Sequence, residues 1–117
     1  MLVLVYRKCS TCMKALNWLE ANNIQFEERP IKEQNPTYDE LKAWHKMSGM
    51  PLKKLFNTSG LIYKDMGLKD KLPHMSEEEQ LRLLATDGML VKRPLVVGED
   101  YVLTGFKEKE WAEKILQ

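Results

Sequence analysis

The sequence has no excess of charge of either sign. Its 18 Lys and Arg residues are nearly balanced by 17 Asp and Glu residues, which leaves a formal net charge of +1 over 117 residues. Proteins that bind nucleic acid or anionic membranes through long-range electrostatics carry a strong basic excess. The balance gives no support to direct nucleic-acid binding or to membrane association.

Long apolar runs are also missing. The apolar start, residues 1–6, is far shorter than the ~20 residues that a helix needs to span a bilayer. Arg7 and Lys8 follow this run, whereas the basic residues of a secretory signal precede its apolar stretch. The sequence therefore predicts neither a signal peptide nor a membrane span, and we expect a cytoplasmic protein.

Cysteine and histidine are scarce, with two of each. Two cysteines are too few for a disulfide scaffold, and their close spacing favours redox or metal chemistry. A zinc site would need two ligands besides Cys9 and Cys12, but His45 and His74 lie on another segment without paired spacing. We therefore predict no metal site and interpret both histidines as surface or capping residues.

The remaining composition is that of an ordinary globular chain. Hydrophobic residues make up 44% and charged residues 30%, so the chain has enough apolar surface to form a core. A length of 117 residues suits one domain and leaves no room for a second independent core. No internal repeat and no low-complexity segment is present. We predict a single domain over residues 1–117.

The first third of the chain predicts strand, helix, strand. Residues 2–6 form a continuous apolar run, which is typical of a strand buried on both faces of a sheet. From Cys12 onward apolar residues recur at helical spacing until Asn22. Residues 24–29 alternate in polarity and predict a second strand that ends at Pro30.

The middle of the chain predicts mostly helix, over residues 37–88. Thr37 with Glu40 and Ser76 with Glu79 both fit the capping box, in which a hydroxyl side chain precedes a glutamate by three positions. Apolar residues at helical spacing follow each box. This region is therefore a candidate helical insertion.

The last third predicts a β-hairpin and a final helix. The hairpin strands cover residues 94–97 and 101–104, and an amphipathic helix covers residues 107–116. The complete order is β-α-β, helices, β-β-α. This order predicts an α/β, thioredoxin-like fold, with a mixed central sheet, flanking helices and an inserted helical subdomain.

The cysteine pair lies where the first buried strand turns into a helix. Unpaired N–H groups and the helix dipole stabilise a thiolate at such a position, so we predict that Cys9 has a lowered pKa and acts as the nucleophile. Cys12 lies within the first helical turn, where shielding suits a resolving thiol. The backbone amides from Ser10 to Cys12 are expected to receive negative charge. Arg7 or Lys8 can add positive charge, but strand alternation allows only one of them to point there.

Two simpler interpretations of these motifs stay open. Cys12 also belongs to the apolar stripe of its helix, so the pair can be an inert part of the core. Arg93 followed by Pro94 can be a solvated arginine before a proline that starts a strand. The functional alternative is a cis bond at Pro94 that presents backbone to a substrate, with Arg93 directed toward an anion or the Cys9 thiolate.

The chain resembles the arsenate reductase and Spx family, also called the ArsC-like family of thioredoxin-fold proteins, over essentially its whole length. The resemblance rests on separate segments in a specific order, namely KCSTCMKALNWLE, NPTYDELKAW, LKKLFNTSG, YKDMGLKDKL, LVKRPLVVG and VLTGFKEKEW. It implies a nucleophilic first cysteine and an arginine before a cis-proline at the site. The predicted catalytic residues are Cys9, Cys12 and Arg93, and the predicted substrate-binding residues are Ser10, Thr11, Pro94 and Asn57.

The sequence departs from the arsenate reductases that it resembles. Glutaredoxin-linked members hold their oxyanion with three arginines, and only Arg93 has a counterpart here. Asn57 occupies the second position, and the third falls at Gly105 or Phe106. Each missing arginine removes a charge-assisted hydrogen bond of about 1.5–3 kcal/mol. The loss of two such bonds would weaken the binding of arsenate by several orders of magnitude. Lysines replace this charge only in part; the candidates are Lys53, Lys54 and Lys107.

Two functions are consistent with this resemblance. The first is an enzyme, a thiol–disulfide oxidoreductase that takes a disulfide or a small oxyanion and needs no bound cofactor. An external thiol reductant, either glutathione with glutaredoxin or thioredoxin, would regenerate it. The second is a redox-sensing regulator like the Spx branch, whose members carry this CxxC pair and bind the RNA polymerase α subunit. Gly49 and Arg93 fall where that branch places residues of interest, and we rank the regulator second.

Overall fold

A mixed four-stranded sheet forms the centre of the protein. The computed structural model describes residues 1–116. The strands lie in the order β2-β1-β3-β4; β1 runs parallel to β2 and antiparallel to β3, and β3 pairs antiparallel with β4. Their bounds are Leu2–Val5 (β1), Glu27–Pro30 (β2), Leu95–Val97 (β3) and Val102–Thr104 (β4). The predicted α/β class and the late hairpin are confirmed.

The first strand is covered on both faces, as its continuous apolar sequence predicts. Successive side chains of a strand point to opposite faces. Val3 and Val5 pack with the first and last helices, whereas Leu4 packs with the helices that lie between β2 and β3. All three are almost completely buried. The strand therefore joins two apolar clusters, and its end is fixed from both sides.

The predicted start of the second strand is wrong. The sequence pattern places it at residues 24–29, but β2 covers Glu27–Pro30. Ile24 and Phe26 alternate because they pack as loop residues against the cluster around the first helix. The Ile24 N–H donates to the Leu19 carbonyl, which ties this segment to the helix and delays pairing with β1.

Within residues 1–116, six α-helices flank the sheet. They are α1 Ser10–Ala21, α2 Tyr38–Ser48, α3 Leu61–Asp65, α4 Leu68–Lys71, α5 Glu77–Leu84 and α6 Glu108–Ile115. Short 3-10 turns cover Leu52–Leu55, Leu72–His74 and Gly88–Leu90. Both predicted capping boxes are present, at the starts of α2 and α5. None of the helices in residues 1–116 is long and apolar enough to cross a membrane.

The helices α1 and α6 cover one face of the sheet with an aromatic cluster. Trp111 of α6 is completely buried, and its ring centroid lies 4.9 Å from that of Phe106 and 6.1 Å from that of Trp18. The Trp111 indole N–H donates to the Gly105 carbonyl at 3.1 Å. This bond fixes the connection between β4 and α6, which lies beside the cysteine pair.

Candidate redox site

The amino end of α1 carries the first cysteine as its N-cap residue. The Cys9 N–H donates to the Tyr6 carbonyl at 2.9 Å, and the Cys9 carbonyl accepts from Met13 N–H at 3.1 Å. No side chain caps this helix, and its first turn contains no acidic residue. Its free N–H groups and its dipole are therefore available to the sulfur of Cys9.

Cys9 is half-buried, and its surroundings favour the thiolate. Burial alone would raise its pKa, but the neighbouring Cys12 N–H, Cys12 thiol and Thr11 N–H favour the charged sulfur and lower the pKa. The positive charge of Arg93 acts in the same direction. Together these groups bring the pKa of Cys9 below its ordinary value, so the nucleophile predicted from the sequence has the expected electrostatics.

Cys12 has the opposite environment. Its side chain is completely buried, and this burial, followed by the nearby Cys9 charge, raises the pKa of its thiol to about 12. The Tyr6 N–H contacts its sulfur at 3.4 Å and lowers the pKa only in part. Both cysteines are free thiols. Cys12 therefore remains protonated at neutral pH, whereas the surroundings of Cys9 favour its thiolate.

Arg93 supplies the positive charge near both sulfurs. Its guanidinium carbon lies 5.3 Å from the Tyr6 ring centroid, and its Nη1 donates to the Met89 carbonyl at 3.2 Å. Its Nε is buried and has no hydrogen-bond partner among residues 1–116. The Arg93–Pro94 peptide bond is cis. Arg93 is thus held beside the cysteine turn with donor capacity left for an anion.

The basic residues that follow β1 do not add to this charge. Arg7 forms a bidentate ion pair with Glu28 of β2, with both N–O distances at 2.7 Å. Arg7 and Lys8 are both exposed, and neither contributes to the cleft described next. The positive charge beside Cys9 comes instead from Arg93, which lies 84 positions later in the sequence.

An open cleft of about 1010 Å³ lies in front of Cys9. One wall comes from residues 51–61 and the other from residues 92–93 and 104–107. Four of the predicted site residues line this cleft, namely Cys9, Thr11, Asn57 and Arg93. Residues almost 100 positions apart in sequence are therefore brought to one surface.

The other predicted site residues lie around the cleft without lining it. Cys12 lies behind Cys9, and Ser10 is exposed as the first residue of α1. Pro94 is buried, and its carbonyl accepts from Gly105 N–H at 2.9 Å. Pro94 therefore fixes the cleft wall through its backbone, and its ring does not form the rim.

Two residues near the site have no recognisable sequence signal. Tyr6 contacts both cysteines through its backbone and Arg93 through its ring. Lys92 lines the cleft next to Arg93. In the sequence Tyr6 is only the end of an apolar run, and only its place before a cysteine turn could have indicated its role.

A metal site has no support among the described residues. Within residues 1–116 no three His, Cys, Asp or Glu side chains converge closely enough to hold an ion. His45 lies 3.2 Å from the Glu77 carboxylate, an α2–α5 contact outside the cleft. His74 is exposed.

The cleft lacks the arginine set of glutaredoxin-linked arsenate reductases. Asn57, Gly105 and Phe106 line the same cleft as Arg93, so these positions face the site as the resemblance implies. None of them carries charge. The cleft instead collects lysines, namely Lys53, Lys54, Lys92 and Lys107.

Comparisons with known proteins agree with this architecture. An ArsC family related protein from Bacteroides fragilis has a solved structure with a TM-score of 0.93, 59% identity, and coverage of 96% of this chain and 94% of its own. YusI of Bacillus subtilis, which is uncharacterized, is 54% identical over 92% of each chain. The global transcriptional regulator Spx of Enterococcus faecalis is 29% identical over 87% of this chain and 76% of its own.

The Bacteroides fragilis structure shares the thioredoxin-like fold of this chain, with its mixed sheet and flanking helices. The family model of the ArsC family matches residues 4–114, which include the cysteine pair, Arg93 and both walls of the cleft. Sequence, fold and site agree over this whole range, and the protein belongs to the ArsC family.

Proposed function

We propose that this protein is a thiol–disulfide oxidoreductase in which Cys9 attacks and Cys12 resolves. Membership of the ArsC family and the Spx relative support a thiol-based redox protein in general terms. One observation carries the finer proposal. The two thiols of one helical turn have pKa values displaced in opposite directions, with Cys9 lowered and Cys12 raised to about 12.

The reaction balances in two exchange steps. The Cys9 thiolate attacks one sulfur of a substrate disulfide, the substrate S–S bond breaks, and the departing thiolate takes a proton from water. Cys12 then loses its proton and attacks the sulfur of Cys9, which releases the second substrate thiol. The substrate gains two electrons and two protons, and the protein retains a Cys9–Cys12 disulfide.

The charge on Cys9 controls when Cys12 reacts. In the reduced protein the negative Cys9 sulfur helps to hold the Cys12 pKa high, in addition to the larger effect of burial. This negative charge disappears once Cys9 is in a mixed disulfide, whereas the Tyr6 N–H and Arg93 still favour the Cys12 thiolate. The pKa of Cys12 therefore falls at the step where Cys12 must attack.

The cleft supports a disulfide substrate better than a small oxyanion. Only Arg93 remains of the three-arginine set, and the positions of the other two carry Asn57 and either Gly105 or Phe106. A charge-assisted hydrogen bond contributes about 1.5–3 kcal/mol, so this site holds an isolated arsenate weakly. The positive cleft still attracts anionic groups carried by a larger substrate.

Regeneration requires an external reductant. A dithiol partner such as thioredoxin, or glutathione with glutaredoxin, reduces the Cys9–Cys12 disulfide, and no bound cofactor takes part. We place the protein in the cytoplasm, where these thiol systems keep cysteines reduced. The protein then cycles between a dithiol and an intramolecular disulfide.

The test is pH-dependent alkylation of Cys9→Ser and Cys12→Ser, combined with a glutathione redox titration of the wild type. We expect Cys12→Ser to react with iodoacetamide with a pKa below the free-thiol value of about 8.5, and Cys9→Ser to react slowly up to high pH. The wild type should form a reversible intramolecular disulfide. Two ordinary thiols that never pair would overturn the proposal.

A redox-sensing regulator is the second candidate, favoured by the similarity to Spx over 87% of the chain. In that case oxidation of the cysteine pair would change the affinity of the protein for the RNA polymerase α subunit, and no substrate would be turned over. Binding of purified α subunit to the reduced and oxidised forms separates the two candidates. Redox-dependent binding without turnover by thioredoxin would favour the regulator.

A further inference from the structure

The cleft in front of Cys9 is far more positive than the protein as a whole. Five of the 18 Lys and Arg residues line it, and none of its lining residues in the described part of the chain is Asp or Glu, although the chain contains 17. With a net charge of +1, the rest of the chain carries 1 − 5 = −4. Charge is therefore segregated toward the site.

Within residues 1–116 these cations have no acidic partner. The ion pairs found in residues 1–116 involve other cations, namely Arg7, Arg29, His45 and Arg82. The buried Arg93 Nε also lacks a hydrogen-bond partner. Like charges that share a cleft repel one another, so this arrangement lowers the stability of the free protein. An anionic ligand would remove that repulsion and satisfy Arg93.

The cations are spread across the cleft. Lys53 and Lys54 are exposed on one wall, Lys92 and Arg93 lie on the other, and Lys107 precedes α6. The volume of about 1010 Å³ is at the upper limit of sites that enclose a small molecule. A small disulfide bound at Cys9 would leave most of these cations without contact to the substrate.

An exposed leucine lies at the same opening. Leu61, the first residue of α3, lines the cleft and is 77% exposed, whereas the next most exposed large hydrophobic side chain, Leu116, is 46% exposed. An exposed apolar side chain in a cleft that also carries five cations suits a partner with one apolar residue among acidic ones. A free small thiol offers no such residue.

We propose that the substrate of this site is a disulfide-bonded cysteine in an extended, acidic segment of a protein, with an apolar residue of the segment packed on Leu61. This inference rests on the proposed function, because Cys9 performs the exchange. The segment's carboxylates pair with the cleft cations, and its cysteine sulfur is the atom that Cys9 attacks. The electron balance is that of the two exchange steps above.

The test uses full-length Cys12→Ser, in which Cys9 is the only cysteine and the first attack is trapped. The probes are short peptides whose single cysteine is activated as a neutral 2-thiopyridyl disulfide. One peptide has acidic flanks and a leucine, one has acidic flanks and an alanine, and one has neutral flanks. The second-order rate of thiopyridone release is measured for each.

We expect the acidic leucine peptide to react about tenfold faster than the neutral one at low ionic strength, and this ratio to fall as salt is added. Lys53→Glu with Lys54→Glu should bring the ratio close to one. Lys64→Glu with Lys69→Glu, two exposed lysines of the same region outside the cleft, should preserve it. Leu61→Ala should remove the advantage of leucine over alanine, and Met66→Ala should not.

The outcomes separate the two proposals. Equal rates for all peptides, combined with a low Cys9 pKa, overturn the acidic-segment inference and leave the oxidoreductase intact. A Cys9 that reacts with every probe as an ordinary thiol overturns the proposed function itself. If glutathione disulfide shows the same dependence on Lys53, Lys54 and Leu61 as the acidic peptide, the site is built for a small anionic disulfide, and the protein-segment inference is wrong.

Discussion

The amino ends of α1 and α2 are built differently. At α2 the Thr37 hydroxyl accepts from the Glu40 N–H, and the Glu40 carboxylate accepts from the Thr37 N–H, which completes a capping box with acidic residues in the first turn. The box at the start of α5 is of the same kind. The start of α1 has neither a side-chain cap nor an acidic residue.

The two kinds of helix start therefore have different effects: the capped starts stabilise their helices, and the uncapped start makes a thiol more reactive. Side-chain oxygens at α2 and α5 satisfy the free N–H groups and complement the dipole, which stabilises both helices. At α1 the same N–H groups are left for the Cys9 sulfur, where they lower the pKa of its thiol. Changes at the start of α2 should therefore alter stability, and changes around the start of α1 should alter the reactivity of Cys9.

The largest effect is expected at Glu40. Its carboxylate accepts from Arg29 Nη1 at 2.7 Å and Nη2 at 2.9 Å, and this pairing lowers its pKa to about 2. A lowered folded pKa contributes stability above the ordinary value of about 4.3, and that stability is lost as pH falls toward 2. Glu40→Gln should lower the free energy of unfolding by about 1–2 kcal/mol at pH 7, after allowance for solvent exposure.

Urea denaturation of Glu40→Gln from pH 7 to pH 2 measures this effect. The difference from wild type should shrink as pH falls below 5, while Cys9 alkylation stays unchanged. Glu79→Gln is the matched control, because Glu79 occupies the same place in the α5 box without an arginine partner. This variant should lower the free energy of unfolding by less than Glu40→Gln does. A loss of stability that does not depend on pH would contradict the assigned role of the Arg29–Glu40 pair.

The second prediction adds an acid to the start of α1. Thr11→Asp should stabilise the helix slightly but place a negative charge beside the Cys9 sulfur, which raises the Cys9 pKa by about half to one unit. The alkylation rate measured at a pH below the Cys9 pKa, where the rate follows the thiolate fraction, should fall about three- to tenfold. Thr11→Asn has nearly the same shape without the charge and should react like wild type. Equal rates for the Asp and Asn variants would show that the helix start does not control Cys9.

The third prediction removes the α2 cap. Thr37→Ala should lower the free energy of unfolding by about 0.5–1 kcal/mol, because the Glu40 N–H loses its acceptor. Thr37→Ser retains the hydroxyl and should restore most of this stability. Neither variant should change the Cys9 pKa, and a shift in that pKa would show that the two helix starts are coupled.

The smallest effect is expected at Tyr6, whose ring faces the Arg93 guanidinium. Tyr6→Leu removes the aromatic face that holds this charge near the cysteines, so the Cys9 pKa should rise by a few tenths of a unit. Alkylation at a pH below the Cys9 pKa should slow about twofold. Tyr6→Phe retains the ring and should leave the pH profile of alkylation unchanged. A rise of equal size in both variants would assign the effect to packing of the side chain.

Local sequence patterns predicted most of the elements and the cysteine turn. The capping boxes at Thr37 and Ser76 and the buried strand before Cys9 depend on residues a few positions apart, and short-range chemistry was sufficient for them. The start of β2 was misplaced because Ile24 and Phe26 alternate for a tertiary reason. The helices α3 and α4 were not separated, since four or five residues are too few to show a full helical period.

The candidate site shows the same limit. Cys9, Cys12 and Arg93 could be predicted because their spacing and the family resemblance single them out. The convergence of Lys53, Lys92 and Lys107 on one cleft could not be predicted from sequence patterns, because these residues come from three distant segments. Backbone contacts join two of these segments, because Phe56 bridges to Val91 and the Lys92 N–H donates to the Leu55 carbonyl.

The hydrogen bond from Trp111 to Gly105 gives the protein an internal optical reporter. Gly105 lines the cleft, and Trp111 and Trp18 lie in the same apolar cluster as Cys12, whereas the third tryptophan, Trp44, lies in the other cluster. In a Trp44→Phe background the remaining tryptophan fluorescence comes from Trp18 and Trp111, which lie beside the redox site. Oxidation of the cysteine pair and filling of the cleft should therefore each change the emission, so both events can be followed in real time without a label.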